Sequence, residues 1–135
     1  MAAIVYNVAK ANIDISDLRV MLMVGHTPDQ DNATLAAVIA ASGAEAAFTN
    51  YVRKALTGEA HTIDQSGNLA KLDAASPVWT AAGGASNELV SHMVVYQYAE
   101  ADADAIPVSC HDVGLTTNGG DLTCDFAEAG ILTTA

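Results

Sequence analysis

The sequence predicts a mainly β protein, a single antiparallel β-sandwich domain over residues 1–135 with one or two short helices in its N-terminal third. Three observations lead there. From Tyr51 onward, short runs rich in β-branched and aromatic residues are punctuated by turn residues, with no βα alternation. Helical spacing of apolar residues is confined to the segments before Gly43. Finally, a chain of 135 residues suits one core, and 51% apolar against 16% charged residues excludes wholesale disorder.

Taken in order, Ala2 to Ala11 places Ile4, Val5 and Val8 at a helical spacing with Lys10 near the end, which predicts a short helix. Leu18 to Val24 is a nearly continuous apolar run, dense enough for a strand buried on both faces, and Gly25 to Pro28 stops it. Asp29 to Asn32 offers an N-cap for a second helix over Ala33 to Ala41, whose Leu35, Val38 and Ile39 share a face, and Gly43 is its C-terminal stop. The run around His61 to Asp64, a turn at Ser66 to Asn68 and the alternation from Leu69 to Asp73 predict a hairpin before Pro77. Leu89 to Tyr98 has the composition of a central strand. Ile106 to Leu115 and Leu122 to Phe126 flank the turn Thr117 to Gly120, predicting a closing hairpin. Ala99 to Ala105, alternating acid and alanine, reads as a solvated loop.

Charge narrows the partners. Five Lys and Arg against 16 Asp and Glu give a net charge of −11, which repels phosphate backbones. The basic residues Lys10, Arg19, Arg53, Lys54 and Lys71 form no stripe, so direct nucleic-acid binding is not expected. The N-terminus lacks the basic start and apolar core of a secretory signal, and no apolar run is long enough to span a bilayer, so a soluble chain made in a cytoplasm is expected.

Catalytic, cofactor and metal residues are not assigned. His26, His61, His92 and His111 lack metal spacing, and Ser86 after Gly83 and Gly84 does not form a nucleophile elbow or a phosphate loop. The acidic groups Asp29/Asp31 and Glu100/Asp102/Asp104 do not complete a calcium loop: in the first, Ala33 and Thr34 stand where a ligand and the turn glycine belong, and the second has no glycine. Cys110 and Cys124 pair across the closing hairpin if residues 116–119 form its loop, giving a disulfide. A tighter Asn118-Gly119 turn instead sets Cys110 opposite Ala127 and leaves two thiols.

Several segments together resemble a family of small virion proteins of tailed phages: Leu18 to Val24 (LRVMLMV), Tyr51 to Gly58 (YVRKALTG), Asp73 to Trp79 (DAASPVW), Thr117 to Thr123 (TNGGDLT) and Ala129 to Leu132 (AGIL). The likeness runs over nearly the whole chain. It implies a sandwich of jelly-roll-like form, a structural role on the capsid exterior or in the tail, collar or fibres, and no catalytic residues. The alanine-rich stretch Ala33 to Ala47 and the two cysteines depart from that pattern.

With the acidic charge, the resemblance yields the expectation of a non-enzymatic capsid decoration protein. It would bind the major capsid protein or other virion subunits as a homo-oligomer, a trimer matching a threefold lattice axis. Tyr51, Arg53 and Trp79 are the expected interface anchors, since these residue types dominate interface hot spots; Trp79, the sole Trp, also suits a core. A glycan-binding module and a hydrolase are the rival classes, the latter requiring a deep polar pocket.

Overall fold

A computed structural model describes residues 3–5, 17–29, 31–57, 60–64, 69–124 and 132–134. Leu18–Val24 forms the strand its apolar run predicts, and both faces are buried, with Val20 and Leu22 on one side and Met21 and Met23 on the other. It becomes β2 of a six-stranded antiparallel sheet. The others are β1 (Ala3–Val5), β3 (Ala44–Glu45), β4 (Lys54–Ala55), β8 (Leu89–Gln97) and β9 (Ile106–Thr116), in the order β1-β9-β8-β2-β3 with β4 also on β2. Outside it, β5 (Ala60–Asp64), β6 (Leu69–Asp73) and β11 (Leu132–Thr134) make a three-stranded sheet, and β7 (Val78–Trp79) pairs β10 (Leu122–Thr123). The chain is thus mainly antiparallel strand, with one short helix among the described residues and no closed barrel.

The central strand is β8, paired with β2 on one side and β9 on the other, as its β-branched and aromatic content predicts. A register shift between Val95 and Tyr96 sets Tyr96 opposite Pro107, so the residue without an N–H falls where the ladder is already irregular. The β5–β6 hairpin forms, Ala60 opposite Asp73 through Asp64 opposite Leu69; its expected turn at 66–68 lies outside the described residues.

Helix α1 (Leu35–Ala41) matches the second helical segment, but its N-cap is Thr34, whose Oγ1 accepts from Ala37 N at 3.1 Å. Asp29 instead closes its own turn, its Oδ1 accepting from Asp31 N. Two of the N–H groups left over at the helix start donate to loop carbonyls, Leu35 N to Ala105 O and Ala36 N to Asp102 O, each at 3.0 Å. The loop between β8 and β9 is therefore the helix's dock, and Leu35 and Val38 are buried.

Gly43 follows the helix at φ +69°, and a Cβ there would overlap the Val24 carbonyl that the turn into β3 packs against. Gly25, at φ +63°, has open space around the same position. Gly43→Ala should accordingly lower stability by about 2 kcal/mol, and Gly25→Ala by only about 1 kcal/mol, the left-handed strain without the overlap. Urea unfolding of the two variants measures the difference.

Two expectations are corrected. Ala3–Val5 is a strand, not the start of a helix over Ala2 to Ala11: it pairs β9, Ile4 opposite Cys110. Three apolar-rich residues fit a 2-residue period as well as a helical one, and an available sheet edge decides. The closing hairpin is also not formed among the described residues, Asp125 and Phe126 lying outside them. Strand β1 takes the outer edge of β9 at Ser109 to His111, and β10 crosses to β7 with Leu122 opposite Trp79. Residues 118–120 run alongside the segment after β7, Ala82 N donating to Gly120 O and Gly119 N to Ala82 O.

Candidate functional site

A dense set of charged and polar contacts lies on the outer edge of β2. Strand β3 ends at Glu45 and β4 begins at Lys54, leaving β2 without a strand partner between them. Ala46 N donates to Leu22 O, and the Leu22 N–H is taken by Tyr51 Oη at 3.2 Å. A side chain thus completes the ladder where the backbone cannot. The Tyr51 hydroxyl donates onward to Glu45 Oε2 at 2.6 Å.

Arg53 builds on that contact with four charge-assisted bonds. Nε and Nη2 donate to Glu45 Oε2 and Oε1, both at 2.8 Å, and Nη1 and Nη2 donate to Asp102 Oδ1 and Oδ2 at 2.8 and 3.0 Å. The planar guanidinium fork suits two bidentate carboxylates in a way an ammonium does not. Burial pushes the Glu45 carboxyl up, but Arg53 and Tyr51 outweigh it and hold it below its ordinary range. Hydrogen bonds from Arg53 lower Asp102 against a smaller burial effect, and burial with the Glu45 charge raises Tyr51. Tyr96 places its ring 5.7 Å from the guanidinium carbon. Arg53 so ties β3, the approach to β4 and the β8–β9 loop into one unit.

Arg53→Met should cost about 2 kcal/mol, below the range for a fully buried pair because all three side chains are partly solvated. Arg53→Lys should lose more than half of that, since one ammonium cannot serve four carboxylate oxygens. Chemical unfolding at neutral pH decides both.

All three expected anchors are engaged internally. Tyr51 and Arg53 belong to the cluster above, and Trp79 is fully buried, its Nε1 donating to Val52 O at 2.7 Å. Trp79 is therefore core, the alternative its apolar bulk allowed. Their neighbours are the exposed ones: Val52 is 57% and Val78 40% exposed, and among the described residues Leu89, Tyr98 and Leu115 are the other exposed large apolar ones. Tyr98 is covered in part by Arg19, whose guanidinium carbon lies 3.7 Å from the ring centre.

Sequence reasoning missed a serine–histidine contact. Ser109 and His111 project from the same side of β9 two residues apart, and Oγ lies 2.9 Å from Nε2. They are 0% and 1% exposed, so no substrate reaches the pair in this conformation. Burial lowers the His111 pKa to about 4, with Asp112 opposing the shift. Its neutral ring is a buried polar link inside the sheet. An alternation of polar residues in an otherwise apolar strand (SCHD, Ser109 to Asp112) was the available signal.

His61 lies on β5, whose side chains are outside the described residues, whereas His26 and His92 meet edge to face with centroids 5.7 Å apart. Cys110 sits opposite Val94 and Ile4, and Cys124 follows β10 with its N–H donating to Pro77 O, so the ladder register on which the disulfide depended is not formed. Both cysteines are buried. Of the acidic groups, Asp102 is bound to Arg53 and Asp29 caps its turn; among the described residues no three His, Cys, Asp or Glu converge as metal ligands. Nor is any helix among them long and apolar enough to cross a membrane.

Comparison with known proteins adds no relative: no family model, no curated protein and no solved structure matches the chain.

Proposed function

We propose that this is a non-catalytic protein that works by binding other protein subunits. Within that class, our reading is a capsid decoration protein of a tailed phage, seated on the outer surface of the major capsid lattice. One observation carries the class: the reactive and hot-spot side chains Arg53, Trp79, Ser109 and His111 are committed to internal bonds. Among the described residues, the large apolar side chains left outward are Val52, Val78, Leu89, Tyr98 and Leu115. The phage assignment rests on the ordered segments that resemble small virion proteins, and the net charge of −11 favours the outside of a shell over its DNA-lined interior.

In this reading the six-stranded sheet is one layer of a jelly-roll-like sandwich and the β5-β6-β11 sheet belongs to the other. Val52 and Val78, on either side of the Trp79–Val52 hydrogen bond, replace their buried neighbours as contact residues. Burial of such residues against capsid subunits, in a trimer matching the lattice axis, would cement the shell. Electron cryomicroscopy of purified particles carrying the chain tests this. Regular density between capsid subunits on the outer surface supports cementing, and density confined to tail, collar or fibres rejects it. Val52→Asp and Val78→Asp, introduced together, should abolish attachment to shells while leaving the unfolding midpoint within the error of the parent.

A further inference from the structure

His26 and His92 are held together by the serine next to one of them. Ser91 Oγ accepts from His26 N and donates to Met23 O, both at 3.1 Å, which pins the turn after β2 against β8. The two rings then stand with planes at 83° and centroids 5.7 Å apart.

Their other contacts fix both tautomers. His26 Nδ1 is 2.9 Å from the Ser42 carbonyl, which can only accept, and 3.3 Å from Ser42 Oγ, whose own hydrogen goes to Thr27 O, so Nδ1 carries the hydrogen and Nε2 a bare lone pair. His92 Nε2 is 3.0 Å from Asp112 Oδ1, which likewise accepts, leaving His92 Nδ1 bare. Both bare nitrogens are buried, and neither meets a donor from the protein. Buried acceptors without a donor are costly, and two in neighbouring rings call for an electron-poor partner. A shared proton answers poorly, because burial holds His92 toward its neutral form despite Asp112.

A metal ion answers better. Ligating histidines commonly give their second N–H to a backbone carbonyl or a carboxylate, the two partners found here. Two imidazoles on one tetrahedral ion, each nitrogen about 2.0–2.1 Å from it, have ring centres roughly 5–6 Å apart. We propose that His26 Nε2 and His92 Nδ1 form a binding site for one divalent transition-metal ion of the zinc class. Solvent completes its coordination, since no third His, Cys, Asp or Glu joins them among the described residues. Binding is therefore weaker than at a four-ligand structural site, and Asp112 is a positioning residue. The site stands whether or not the chain decorates a capsid.

Titrating Zn²⁺ into the metal-free full-length protein, with calorimetry and imidazole ¹⁵N spectra, tests it. One equivalent should bind, moving the His26 Nε2 and His92 Nδ1 resonances and leaving their Nδ1 and Nε2 partners protonated. His92→Gln should weaken binding at least tenfold. Asp112→Asn, at an exposed position that removes no ligand, should weaken it about tenfold. Absence of binding at millimolar Zn²⁺ would overturn the proposal in favour of a bridging water. So would several equivalents bound without imidazole shifts, or affinity indifferent to both variants.

Discussion

Trp79→Ala should destabilise the fold by about 4 kcal/mol, the largest effect expected of any single substitution here. The side chain is fully buried, lies opposite Leu122 in the β7–β10 pair, and bonds through its indole N–H to Val52 O, in the segment that leads into β4. Truncation to Ala combines a large cavity with an unpaired carbonyl, and a domain of this size has only about 5–15 kcal/mol of stability in all. Trp79→Phe keeps most of the apolar area and loses the hydrogen bond, so about 2 kcal/mol is expected. Urea unfolding followed by circular dichroism is the measurement, because the parent's only tryptophan is the residue removed. Were Trp79 an exposed anchor, Ala would leave the midpoint unmoved and weaken partner binding instead.

Elements whose signal is local were legible in the sequence. The apolar run Leu18–Val24, the helical face of Leu35 and Val38, and the β-branched stretch of β8 each identify themselves within seven to nine residues, and burial follows the pattern. What depends on pairing across the chain was not. Asn118 and the two glycines after it carry a hairpin signature, yet Leu122 and Thr123 pair β7 and not β9, so the same turn chemistry serves a crossover. The site follows the same division. Residue types singled out Tyr51, Arg53 and Trp79 as interface anchors, whereas all three make their bonds within the fold. Their inward direction comes from Glu45, Asp102 and Val52, and the link from Arg53 to Asp102 spans 49 positions that no local pattern connects. His26 and His92 are likewise joined only when β2 and β8 pair.

His111 gives the fold a dependence on pH that the carboxylates do not. The unfolded chain takes up a proton at this residue near pH 6.5, whereas burial in β9 delays uptake in the folded protein to about pH 4. The stabilisation from keeping the ring neutral is therefore complete above pH 6.5 and is lost as pH falls toward 4, with no further loss from this group below that. A shift of this size corresponds to about 3 kcal/mol. His92, lowered in the same sense by burial and opposed by Asp112, adds to the loss. Glu45 and Asp102 are held below 4.5 and 3.8 and act only in more acidic solution. Relief of self-repulsion at a net charge of −11 opposes the trend, but carboxylates protonate mainly below about pH 4.5, so the range from 6.5 to 4.5 reports the histidines. Unfolding free energies measured at intervals across that range should fall steadily in the parent. In His111→Gln, which keeps a polar partner for Ser109 but cannot titrate, stability at pH 7 should be lower and the slope mostly gone. An unchanged slope would place the responsible proton on another group and leave the Ser109–His111 contact as packing alone.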